Sequence, residues 1–132
     1  MPSVKGDFEK VVRVAKVVSI DRIELLELKA RRGVRGADSP KVDVVVAHRH
    51  ELTEGVLRVE VRLDLKMVPE VLSVGAVFGI YYNLKGPVSD DDARAFCLHN
   101  AIFNVWPYWR ELVQDQSMRM GTQPVVVPLL KR

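Results

Sequence analysis

This sequence is short of what most chemistries need. It has one cysteine, Cys97. A lone thiol cannot close an internal disulfide, so nothing argues for an oxidising compartment. No apolar run approaches the ~20 residues that span a bilayer. The start, MPSVKGDFEKVV, lacks the apolar core and small-residue cleavage site of a secretory leader. A cytoplasmic protein without membrane insertion is expected. No GxGxxG, GxxxxGK[ST] or GxSxG occurs, and nothing in the pattern cradles a phosphate. No cofactor is expected, and no catalytic residues are assigned. CxxC and HExxH are absent as well. His48 and His50 lie two apart on one face of a strand and could begin a metal site with His99 or Glu51. Spacing identifies no third ligand, so the pair reads as solvated strand-end histidines and no metal is expected. Cys97, between Phe96 and Leu98, reads as a buried, inert thiol, because a nucleophile needs a base beside it.

What is present suits one globular domain. The 132 residues are 48% hydrophobic and 28% charged, with a net charge of +3. A chain of this length buries roughly two thirds of its unfolded surface, enough for a core without staples. Lys29, Arg31, Arg32 and Arg35 cluster around one loop, and Tyr81 and Tyr82 end a strand. Basic groups beside aromatics can hold single strands, so a basic nucleic-acid-binding oligomer is the alternative reading. The motif of an RRM is absent, and most basic residues are interspersed with acids.

Residues 8–30 are rich in Val and Ile and read as a first strand that could lie at a sheet edge. Residues 31–40, RRGVRGADSP, form a loop too long for a hairpin, so strands one and two should not pair. Residues 41–51 read as the second strand and LTEG as a turn. Residues 57–67, LRVEVRLDLKM, alternate strictly, which marks a sheet with one dry and one wet face. Residues 71–82 form a fourth strand, apolar on both faces. Ser89 is an N-cap candidate, with acids at Asp90, Asp91 and Asp92. Leu98, Ile102, Val105, Trp109 and Leu112 then recur at helical spacing, and Gly121 fits a C′ position. Pro107 lies inside this helix and predicts a kink or a restart, its cost of ~3 kcal/mol offset by aromatic packing. The tail, TQPVVVPLLKR, must lie extended on something apolar.

The stretch from Asn104 to Pro128 resembles the helix and exit segment of SecB-type export chaperones. The likeness is carried by Asn104, Trp106, Pro107, Tyr108, Glu111 and Gly121, then Pro124, Val125, Val127 and Pro128. The strands resemble the family's in order. The resemblance implies an α+β fold: a four-stranded antiparallel sheet, Greek-key-like, with a crossover between strands 1 and 2 and one long kinked helix. The single domain then comprises a sheet over 8–85, a helix over 89–121 and an extended apolar tail over 122–132. The resemblance also implies a homo-oligomer, a dimer of dimers with first strands and long helices at its interfaces. It implies an ATP-independent holdase for unfolded precursor proteins, with grooves lined by apolar and aromatic residues. Short SecB-like proteins also serve as chaperones of antitoxins. Export members are typically acidic and continue into a second helix that helps dock the SecA motor. This chain is basic and stops at Arg132, which argues against SecA as a partner.

On this reading the client contacts are Val42, Val44, Val46, Leu72, Val74, Phe78, Trp106, Trp109, Val125, Val127, Leu129 and Leu130. Copies should meet at Val14 and Val18 of the first strand and at Phe96, Cys97, Asn100 and Phe103 of the helix. Asn104, Pro107, Tyr108, Glu111 and Gly121 read as structural. Part of the Trp106–Trp109 surface is expected to face a client or another subunit.

Overall fold

The strictly alternating stretch 57–67 becomes one of the two central strands of the sheet. A computed structural model describes residues 4–33, 41–68, 71–122, 125 and 127. Its elements are helix α1 (Val4–Ala15), strands β1 (Val18–Arg32), β2 (Lys41–Thr53), β3 (Val56–Val68) and β4 (Leu72–Leu84), and helices α2 (Asp90–Phe96) and α3 (Ile102–Arg119). The strands form one antiparallel sheet in the order β1-β4-β3-β2. β2, β3 and β4 follow one another, and β1 closes beside β4 through the crossover, a Greek-key arrangement. Strand β1 runs on through Arg31 and Arg32, and the connection from there to Lys41 links the two edge strands of the sheet, so strands one and two do not pair, as expected.

One face of the sheet is dry. Leu57, Val59, Val61, Leu63 and Leu65 of β3 are buried against the helices, beside Leu72, Val74, Ala76, Phe78, Ile80 and Tyr82 of β4. Arg58, Arg62, Asp64 and Lys66 line the opposite face and are exposed. Glu54 and Gly55 join β2 to β3, and Gly55 takes φ 78, a conformation that favours glycine.

The chain from Asp90 to Arg119 is one joined helix. The Ser89 side chain accepts from the Asp92 backbone N–H at 3.1 Å, as an N-cap does. Between α2 and α3 the helix widens into a π turn over Cys97–Ala101. The irregularity therefore precedes Pro107, and α3 continues through it. At the far end Gly121 N–H donates to Met118 C=O and Thr122 N–H to Ser117 C=O. With Gly121 at φ 72, this is a Schellman motif.

The first strand begins ten residues later than its Val-rich composition implies. Residues 8–15 belong to α1. Phe8, Val11, Val12 and Ala15 recur at helical spacing, and tertiary packing decides the ambiguity. Val14 is fully buried, and Lys10 and Arg13 bind Asp91 and Asp92 of α2 at 2.8 Å. No helix among the described residues is long and apolar enough to cross a membrane.

Candidate functional site

The inner face of β1 is one place where the apolar pattern leaves solvent-facing surface. Leu25 pairs with Phe78 and Leu28 with Ala76, both inner-face residues of β4. In a regular strand, residues three apart point to opposite faces. The register shift between Leu25 and Glu27 is a bulge at Leu26, and it returns Leu28 to the face of Leu25. Leu26 turns to the other face, where it lies against Gly79. Leu25, Leu26 and Leu28 are all exposed, with Leu25 at 47%.

α3 stands beside this strip. Between them opens a cleft of about 390 Å³, lined by Leu25, Phe78, Tyr108, Leu112 and Met118, with Glu111, Gln114 and Asp115 at its rim. Tyr108 and Met118 are 52% and 60% exposed. Phe78 is buried and forms part of the floor. The cleft has no nucleophile–base pair and no convergent cations. Its chemistry is area burial, with a few polar groups at the edge.

The tail lies on the opposite flank of α3. Arg110 Nε donates to Val127 C=O at 2.6 Å, and Val125 N–H donates to Ser117 Oγ at 3.1 Å. Val127 is buried and Val125 half-buried, so this part of the tail does rest on apolar surface. Pro124, Pro128, Leu129 and Leu130 lie outside the described residues.

The expected client residues divide by burial. Leu72, Val74, Trp109 and Val127 are enclosed within the protomer and offer no surface, and Trp106 is nearly so. The helical phase explains the tryptophans: with Val105 and Val113, Trp109 forms the stripe that meets the sheet. The exposed aromatic of the motif is instead Tyr108. Val42 is exposed on edge strand β2, and Val44 and Val46 are half-buried on its inner face. Of the residues expected between copies, Val14, Phe96 and Cys97 are core, the first in α1 rather than in a strand. Asn100 and Val18 are half-buried and Phe103 is exposed. The residues that sequence reasoning missed are Leu25, Leu28, Leu112 and Met118. A bulge and the position of a helix flank created that surface, and periodicity alone carried no signal for either.

The histidines are not on the wet face. His48 pairs with Val61 and His50 with Val59, both buried, so the two imidazoles share the inner face. Their rings stack with centroids 6.0 Å apart. The residue they meet is Cys97, at the start of the π turn; one ligand atom from each of the three lies within 4.8 Å of the others. His99 instead faces Asp7 of α1, and Glu51 points to the other face of the sheet beside Arg58. Burial, the neighbouring His50 and the Arg94 cation lower the proton affinity of His48. Burial, with the charge of Asp90, pushes the Cys97 thiol up to about 12.

No family model and no curated protein matches this sequence. Solved structures do. The SecB-like chaperone Rv1957 of Mycobacterium tuberculosis, in complex with a ChAD peptide from the Rv1956 HigA1 antitoxin, superposes with a TM-score of 0.86. The match covers 95% of this chain and 98% of that one at 17% identity. A protein of unknown function from Streptococcus agalactiae matches over 85% of this chain and 97% of its own, at 10% identity and a TM-score of 0.47. The fold of this chain is that of a SecB-like chaperone.

Proposed function

We propose that this protein is an ATP-independent holdase that keeps unfolded or partly folded polypeptides from aggregating, with an antitoxin as the client class. The observation that carries the reading is the apolar cleft between α3 and the leucine strip of β1. An exposed Leu, Tyr and Met converge there over a Phe floor, with no catalytic group among them. Each large apolar side chain of a client buried in such a cleft contributes ~1.5–3 kcal/mol before ordering costs. The resemblance of the helix and tail motif to SecB-type chaperones supports the same reading. So does the SecB-like fold shared with a protein solved with an antitoxin peptide.

Assembly extends the cleft. Among the described residues, nothing pairs with the outer edge of β1. An open edge strand of 15 residues, with exposed leucines among its charges, is a template for another strand. Two copies joined antiparallel through β1 would merge their sheets. The two clefts would then face each other across one floor made of both copies' Ile23, Leu25 and Leu28. An extended client crossing that floor meets several weak pockets in succession, and their effects add through effective concentration.

The test uses a denatured client protein diluted into buffer with no nucleotide. Excess chain should hold it soluble, and Met118→Asp should weaken that protection while leaving the assembled mass unchanged. Absence of protection together with absence of binding to unfolded peptide would overturn the proposal. If Met118→Asp instead changed the assembled mass alone, the cleft would be a contact between copies.

A further inference from the structure

Two histidines occupy positions that the inner-face pattern of β2 fills elsewhere with Val42, Val44, Val46 and Leu52. Imidazoles on the apolar face of a sheet need partners. His50 has one: its Nε2 lies 2.9 Å from Asp90 Oδ1, at the first residue of α2. That contact fixes the ring and leaves Nδ1 for another partner. His48 has no hydrogen-bond partner among the described residues and stacks on His50 at an interplanar angle of 16°. Cys97 closes the group from the helix side and is fully buried. It is the first residue of the π turn, a helix irregularity that recurs at functional sites.

We propose that His48, His50 and Cys97 bind one thiophilic divalent cation, zinc by the chemistry of the donors, which clamps edge strand β2 to the π turn of the long helix. Two imidazole nitrogens and one thiolate are a zinc set, the Cys97 proton being released to solvent as the metal binds, with a fourth position left for water. Tetrahedral zinc places such donors about 3.5 Å apart. The present limit of 4.8 Å closes to that by side-chain rotation of the two histidines, which sit on an edge strand and are only half-buried. Asp90 then acts from outside the ligand set, as the carboxylate that orients a ligating histidine. Arg94 is the opposing charge that faces His48, and the thiolate offsets it. The clamp works independently of the client cleft, which is built from other residues.

The purified, chelator-stripped chain is titrated with Co²⁺ alone and then with Zn²⁺. One Co²⁺ per chain should bind, with the visible spectrum of a tetrahedral ion and a thiolate-to-cobalt charge-transfer band, and Zn²⁺ should displace it. Cys97→Ser should abolish the charge-transfer band. Because that site is buried, His48→Gln and His50→Gln serve as second variants, and each should weaken Co²⁺ binding by at least ~10-fold while circular dichroism shows the fold retained. An octahedral spectrum without the charge-transfer band in the parent would overturn the proposal. So would parent-like affinity in both histidine variants.

Discussion

At the residue scale, Tyr82 shows how the helix is registered on the sheet. Its ring is buried and meets Phe96 edge-on at 5.1 Å, and its hydroxyl donates to Asn104 Oδ1 at 2.8 Å. Burial, followed by the nearby Cys97, pushes the phenol well above its usual range. The hydroxyl therefore stays protonated and donating at any physiological pH. Asn104 opens the motif that resembles the SecB family, and this bond gives its structural role a physical content. Tyr82→Phe should lower stability by about 1 kcal/mol, the net worth of one hydrogen bond whose partner retains some access to water. In urea the midpoint should fall with the slope unchanged. The same scale explains part of what was hard to read. Trp106, Trp109 and Tyr108 are adjacent in sequence, yet helical phase sends the tryptophans inward and the tyrosine outward. That phase becomes definite only once the sheet-facing side of α3 is known.

Among the elements, α1 depends on charge more than its sequence indicates. Arg13 reaches Asp92 through two hydrogen bonds of 2.8 Å, and Lys10 reaches Asp91. The Arg13 hydrogen bond holds the Asp92 carboxyl below its ordinary value of 3.8. A depressed carboxyl contributes stability that is present above the unfolded-state value and is lost as pH falls through the folded-state one. Arg13→Gln should therefore be less stable than the parent at neutral pH, and the gap should close as pH drops below about 4. Urea titrations of both chains across that range check this. At the other end of the fold, Gly121→Ala places a side chain at φ 72. It should cost about 1–2 kcal/mol, whereas Gly121→Asn should cost less because Asn tolerates this conformation. The new Cβ meets only the flexible Arg32 Nη1, so the backbone sets the penalty. These caps were legible in the sequence, as were the alternation of β3, the crossover and the inward tail. The start of β1 was not. Val-rich segments serve helix or strand alike, and the choice at residues 8–15 rests on the burial of Val14 and on ion pairs with α2, far along the chain. The cleft was legible only through Phe78, because a bulge at Leu26 changes which leucines share a face.

For the whole molecule, the consequence concerns the open edge of β1. A sheet edge this long is usually blunted by charge, proline or a covering element. Here charges are present, with Glu27 between the leucines and Glu24 and Lys29 flanking them, yet Leu25, Leu26 and Leu28 stay exposed. If copies join through this edge, lysine at both Leu26 and Leu28 should block the pairing, since like charges would then face each other across a two-fold axis. Neither leucine is buried, so the protomer should retain its own fold and cooperative unfolding. The assembled mass, read by light scattering, should fall by half or more. Protection of a denatured client should fall with it, because each isolated cleft then offers only its own pocket of about 390 Å³. Met118→Asp should separate the two effects, weakening the protection of a denatured client while the mass holds. A double lysine variant that kept the parent mass would place the contact between copies elsewhere, with the edge of β2, where Val42 and Val45 are exposed, as the other open strand among the described residues.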